Sequence, residues 1–482
     1  MNRDLKCFAA ILLFAVPLFA QQTPPTPSAP REAKLPQPVE KTLANGLRVI
    51  VVPKHDLPLV AASLMVKTGG AADPRGREGT AQLTATVLTK GTKTKSAEQI
   101  SRGVEALGAT LGSDAAWDSM GIDISVMSGN FGKAMEYVAD VARNPTFAAE
   151  ELERERAQAI DSLQANLAQP RVLAGAVASR LIFGDAPYGA NLEGTPASLA
   201  AIQREELVKF HRAYFRPDNA VLVMAGDVKA EDAFTLAQNL FGSWKSATPA
   251  TKNAAKAAAV LPKARVVVID MPEAGQAAVV VGRPGIRRSD PAYYRAIVTN
   301  SVLGAGYSSR LNQEIRIKRG LSYGAGSSFD ARAVTGPFTA RVETKNESAA
   351  EVAGIVAAEM KRLSTADVPE SELTPRRAAL IGDFAQSLET TSGIVNRISA
   401  LALHGLPLTD INRYIGSVQG VTAEDVRKFA ASNLAGDMSV VVVGDANKFL
   451  EPLQKQFSNV EVIKASELDL GSAALRVKKA KE

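Results

Sequence analysis

The chain has 482 residues, with 56 Lys and Arg against 50 Asp and Glu and a formal net charge of +6. Its 46% apolar and 22% charged residues describe a globular protein, and the small basic excess, without a Lys/Arg stripe interleaved with aromatics, excludes a nucleic-acid-binding surface. A single cysteine, Cys7, and three scattered histidines, His55, His211 and His404, exclude a disulfide framework and a helical two-His metal motif.

In chain order, Arg3 and Lys6 precede an apolar run from Cys7 to Ala20 that is broken by Pro17. A short charged region, an apolar stretch too short to span a bilayer and a closing small residue predict a signal peptide over residues 1–20. The mature chain is therefore expected to be periplasmic or secreted and to have no membrane span. Residues 21–37, QQTPPTPSAPREAKLPQ, form a Pro-rich linker, because proline removes backbone donors and resists regular structure. A first domain is expected over 38–245. Residues 46–54 and 60–69 read as strands joined by a turn at Asp56–Pro58, and 78–90 and 96–107 read as helices. The alternation of DSMGIDISVMS (118–128) predicts a strand, 131–143 an amphipathic helix and the EELERER run within 147–169 a charged helix. The Ala/Lys/Thr/Pro-rich stretch 246–262 reads as an interdomain linker. A second domain then covers 263–465, and 466–482 is a basic tail with Arg476, Lys478, Lys479 and Lys481.

The two domains repeat one pattern. FHRAYFRPDNAVLVMAGDV from Phe210 matches FAASNLAGDMSVVVVGDA from Phe429, each preceded by an acidic helix start and ending in a strand that runs into Gly-Asp. EELERERAQAIDSLQANL from Glu150 matches SELTPRRAALIGDFAQSL from Ser371, in the same order and about 220 residues on. The fold class is α+β, with two homologous domains, each a sheet carrying helices on one face.

Four segments carry a family resemblance: TLANGLRVIVVPKHDLPLVAASLMVKTGGAADP from Thr42, EGTAQLTATVLTKGTKTKSAEQI (78–100), APYGANLEGTPASL (186–199) and LGAGYSSRLNQEIRIKRGLSYG (303–324). They resemble the pitrilysin/insulinase family of zinc peptidases, which includes the mitochondrial processing peptidase. That family's zinc site needs H-x-x-E-H on one helix and a distal Glu, since two imidazoles one turn apart and a carboxylate hold the metal while the Glu between them serves as base. Here the His positions hold Gln82 and Thr86, the catalytic Glu position holds Ala85, and the distal Glu aligns with Ser162. The resemblance thus implies a degenerate site with no metal and no cofactor in this chain. His55, His211 and His404 match none of the ligand positions and are expected as surface or cap residues, with His211 following a helix.

The second domain keeps what the resemblance assigns to substrate: Arg316 and Tyr323 match the pair that holds the substrate carbonyl and stabilises the oxyanion. In heterodimers of this kind one subunit carries zinc and its partner carries the Arg/Tyr pair, and peptide binds as an added strand on a sheet edge. The expected partner is a paralogous subunit bearing H-x-x-E-H, with zinc in that partner, and the expected substrate is a peptide. The alternative is a non-catalytic peptide-binding or scaffold protein of the same fold. The edge strand expected to receive substrate lies near Gly108–Trp117, where the sequence departs from the family's polar pattern.

Overall fold

Two six-stranded sheets carry the fold in a computed structural model that describes residues 37–246 and 261–477. The first sheet contains β1 (Val39–Thr42), β2 (Arg48–Pro53), β3 (Leu59–Val66), β4 (Thr110–Ala115), β5 (Met120–Met127) and β6 (Ala220–Gly226), in the order β1-β2-β6-β3-β5-β4. The second contains β7 (Val266–Asp270), β8 (Ala277–Pro284), β9 (Ala325–Phe329), β10 (Pro337–Thr344), β11 (Ser439–Gly444) and β12 (Val460–Lys464), in the order β12-β7-β11-β8-β10-β9. The inner strands correspond one to one, so the duplication is visible as topology. The outermost strands differ: β1 runs antiparallel to β2, whereas β12 runs parallel to β7.

β2 and β3 follow one another in sequence but are not neighbours, because β6 lies between them, parallel to one and antiparallel to the other. The run AVLVMAG of β6 is buried at every residue, the pattern of a central strand covered on both faces. The helices of the first half begin as their sequences dictate. In α1 (Thr80–Leu88) the N-terminus follows Gly79, whose φ of 96° lies in the left-handed region. In α2 (Ala97–Ala106) Ser96 and Gln99 form a reciprocal capping box, and Ile100 and Val104 supply the buried stripe. The amphipathic α3 (Phe131–Arg143) packs on β5, and the charged α4 (Ala149–Leu167) buries Leu152, Glu155, Arg156 and Leu163.

The second face of each sheet is covered by a helix from the other half. Starting at Pro170, α5 (Pro170–Phe183) sets Leu173, Val177 and Leu181 against Val267, Val280 and Val441 of the second sheet. In return the helix Thr391–Leu403 sets Ile394, Ile398 and Leu401 against Ile50, Val221 and Val223 of the first. The expectation of helices on one face therefore describes only the layer each half supplies to itself. Both sheets belong to one compact unit. The described part of the C-terminal segment is packed rather than solvated: Leu475 is fully buried on the α5 side, and Arg180 Nε donates to the Leu470 carbonyl at 2.7 Å. The expected signal peptide and nearly all of both linkers lie outside the described residues, as do Lys478, Lys479 and Lys481. Among the described residues no helix is long and apolar enough to cross a membrane.

Candidate functional site

The N-terminus of α1 is held by Asp73, whose two carboxylate oxygens accept the Gly79 and Ala81 amides, each at 2.8 Å. Burial pushes the Asp73 carboxyl up to about 7 against the opposing pull of those bonds. With its start anchored, α1 lies against edge strand β4 and against α4. Gln82 Oε1 accepts the Ala115 amide of that edge strand at 3.3 Å. Thr86, one turn on, returns its hydroxyl to the Gln82 carbonyl at 3.0 Å. Ala85 is fully buried in the first core.

Across from α1, α4 presents Glu155 and Ser162. Glu155 is buried, with Lys90 Nζ and an Arg154 guanidinium nitrogen each 3.0 Å from its carboxylate, while Ser162 is exposed. Gln82, Thr86, Glu155, Ser162, Asn166 and Glu193 line one cavity of about 260 Å³. The fold thus gathers three of the four degenerate positions around one cleft and leaves the fourth, Ala85, behind it. This donor set does not fit a zinc ion. Gln and Thr contribute neutral oxygens already committed to hydrogen bonds, and the buried carboxylate of the lining, Glu155, is paired with two cations. Among the described residues no three His, Cys, Asp or Glu side chains are grouped to hold a metal.

Arg316 lies in a wide π-helical turn, Gln313–Ile317, that follows the helical residues Arg310–Asn312. Such turns insert an extra residue and re-aim the side chains that follow, which is why they gather at functional sites. The half-buried Arg316 guanidinium sits over the ring of Tyr307, 4.9 Å from its centroid. Tyr323 is 90% exposed on the loop that leads into β9, the edge strand of the second sheet. Ser322 shapes that loop, its hydroxyl donating to the Gly324 carbonyl at 2.7 Å and accepting the Gly324 amide at 3.0 Å. Arg316 and Tyr323 make no hydrogen bond to each other; each has its own surroundings. Tyr323 borders a cavity of about 380 Å³ together with Arg171, Gln276, Arg341 and Glu343. Its hydroxyl is available to a molecule outside the chain.

His55 is a surface residue whose Nδ1 lies 2.8 Å from Asp227, and His404 closes the helix Thr391–Leu403. The expectation for His211 is corrected. It lies inside the helix Arg204–Tyr214 rather than after it, stacked on Phe215 at 4.6 Å and bonded through Nε2 to the Ala142 carbonyl at 2.8 Å. Partial burial lowers its pKa to about 4, so it is neutral at physiological pH. Glu155, Arg171 and Arg341 line the two cavities without having stood out in the sequence. A glutamate inside EELERER looks solvated, and only the 3.6-residue phase shared with buried Leu152 pointed inward.

Two family models match the chain: insulinase (peptidase family M16) over residues 48–195, and peptidase M16 inactive domain over residues 201–380. An uncharacterized zinc protease of Mycobacterium leprae is 26% identical over 84% of this chain and 91% of its own length. Another, from Bacillus subtilis, is 23% identical over 83% of this chain and 97% of its own. Among solved structures, a peptidase M16 inactive domain from Pseudomonas fluorescens has a TM-score of 0.79 at 27% identity, covering 84% of this chain and 98% of that one. A protease from Helicobacter pylori has a TM-score of 0.80 at 20% identity over 85% of this chain and 100% of its own, a likeness of fold.

Proposed function

The chain belongs to the insulinase, or M16, family of peptidases, and on that premise we propose that it is the zinc-less subunit of an exported heterodimeric metallopeptidase. One observation carries the reading. The cleft of the first half offers Gln82, Thr86 and Ser162 with Ala85 buried behind them, while the second half keeps Arg316 and an exposed Tyr323. A subunit of this kind supplies substrate contacts and leaves water activation to a zinc-bearing partner with H-x-x-E-H. A guanidinium and a phenolic donor set against a developing oxyanion each contribute about 3 kcal/mol in a dry site. An extended peptide would add as a strand along β4, the edge of the first sheet, whereas on β9 the Ser327 and Ala325 amides already donate to the Gly304 carbonyl and to Asn312 Oδ1. Export rests on the composition of residues 1–20.

Reconstitution tests this. The chain alone is expected to leave peptides intact, and mixing with the partner is expected to produce cleavage that a chelator abolishes. Arg316→Ala in the mixture is expected to lower kcat by about 10²-fold. Chelator-sensitive cleavage by the chain alone overturns the reading. Cell fractionation tests the periplasmic or secreted location separately.

A non-catalytic peptide-binding or scaffold role is the second reading. It is favoured by Gln82, which occupies the Ala115 amide that a peptide would otherwise meet. A homodimer that binds unfolded peptides and recruits no partner is the outcome that selects it.

A further inference from the structure

The cavity beside Tyr323 has a chemistry of its own. Its floor is the outer face of the second sheet, where Arg341 of β10 pairs in register with Val280 of β8 and Gly326 of β9. Ala278, Gly324 and Gly326 keep that floor low, and a Cβ at Gly324 would meet nothing within 4 Å. Arg341 projects over it beside α5, its Nη1 3.9 Å from where a Cβ on Gly175 would stand. Among the described residues Arg341 has no hydrogen-bond or ion-pair partner. Its side chain is on the exposed side of β10; partial burial lowers its pKa, the Asp330 charge opposes this, and the positive charges of Arg171 and Arg332 add to it. The second lining guanidinium, Arg171, is committed to Glu343 at 3.0 Å, and Glu343 is the one carboxylate in the lining. An exposed guanidinium without an ion-pair partner thus stands in a hollow of about 380 Å³, next to an exposed phenolic donor.

We propose that this cavity is a carboxylate-binding subsite for an extended peptide, with the Arg341 guanidinium taking the two oxygens as a fork and the Tyr323 hydroxyl donating a further bond. The proposal rests on the reading that Tyr323 faces peptide, and it narrows the substrate class to peptides with a chain end or an acidic side chain at this position. Gln276 and Ser322 supply neutral polar groups at the rim, and Glu343 opposes the ligand.

The test uses the purified chain alone and three fluorescently labelled eight-residue peptides of Ala, Ser and Val. One ends in a free carboxylate, one is amidated, and one is amidated with a central Glu. Anisotropy titrations are expected to show the free acid, the Glu peptide or both binding at least about tenfold more tightly than the neutral amide. Preference for the free acid alone assigns the site to chain ends; preference for the Glu peptide assigns it to side chains. Arg341→Gln is expected to bring the preferred peptide down to the amide's affinity, and Arg341→Lys to retain part of the preference. Glu343→Gln is expected to tighten acid binding about threefold or more, a gain that damage to the fold does not produce. Equal affinity for all three peptides, or a preference that survives Arg341→Gln, overturns the proposal. Because no cleavage is read, failure here leaves the reconstitution result standing, and a failed reconstitution leaves carboxylate-dependent binding standing.

Discussion

Asp73 and His211 are tuned in opposite directions by the same cause, removal from water, and so they act on stability in opposite senses. The folded pKa of Asp73, about 7, lies above the ordinary carboxylate value of 3.8, so its contribution is fully present below the unfolded pKa and is lost as pH rises toward 7. The folded pKa of His211, about 4, lies below 6.5, so its contribution is present above pH 6.5 and is lost as pH falls toward 4. Each swing is on the order of 3 kcal/mol, and between pH 4 and 7 the two largely cancel. Single variants separate them. Relative to the parent, His211→Gln is expected to gain stability as pH falls from 6.5 to 4, and Asp73→Asn to gain as pH rises from 4 to 7, in denaturant titrations across that range. The degenerate cleft gives a second prediction at this scale. Because Gln82, Thr86 and Ser162 already line one hollow, the triple variant Gln82→His, Thr86→His, Ser162→Glu is expected to retain one equivalent of zinc after dialysis. Metal analysis checks it, and unaided peptidase activity is not expected, because Ala85 still supplies no base.

At the scale of elements, local patterns were legible and long-range coverage was not. The alternation in 118–128 and the charged run after Glu150 each anticipate the element that forms, because these depend on neighbours within a turn or a strand. The edge position of β4 agrees with the strand expected near Gly108–Trp117. The exchange of covering helices left no local trace. The mixed apolar surface of α5 matches the second sheet only when residues from roughly a hundred to more than two hundred and fifty positions apart are placed together. The same holds for Arg171 and Arg341, which come together across the sheet face. The site positions Gln82, Ala85, Thr86 and Ser162 could be named only through the family resemblance, since what marks them is the absence of ligands. The exchange itself is testable. A residue of α5 such as Val177 is fully buried, and Val177→Asp places a charge against Val280 and Val441, which is expected to cost more than about 3 kcal/mol. Residues 38–245 expressed alone expose both α5 and the β6 face that the helix Thr391–Leu403 covers. That fragment is expected to aggregate alone and to co-purify with 263–477 when the two are made together.

At the scale of the molecule, the two halves are also fastened by one polar and aromatic knot. Asp118, in the turn between β4 and β5, accepts the Tyr188 hydroxyl at 2.5 Å and the Ala333 amide at 2.9 Å. Arg332, from the loop between β9 and β10, lies over Trp117 at 4.8 Å and over Tyr188 at 4.7 Å, and the two rings meet edge to face at 5.6 Å. One carboxylate thus joins the edge turn of the first sheet to the edge loop of the second, beside the edge strands β4 and β9. Burial and the neighbouring Asp118 charge push the Tyr188 phenol up, so it remains a donor throughout the physiological range. The apolar helix exchange holds the halves together without fixing their angle at a single point, whereas the knot adds directional bonds at the mouth. Asp118→Ala leaves two donors without their acceptor and is expected to cost about 2 kcal/mol, seen as a lower Tm. If the knot sets the spacing of the two edges, the same variant is expected to weaken binding of peptides long enough to reach both edges by about tenfold, with little change for short ones. A uniform loss across peptide lengths would make Asp118 a stabilising residue only.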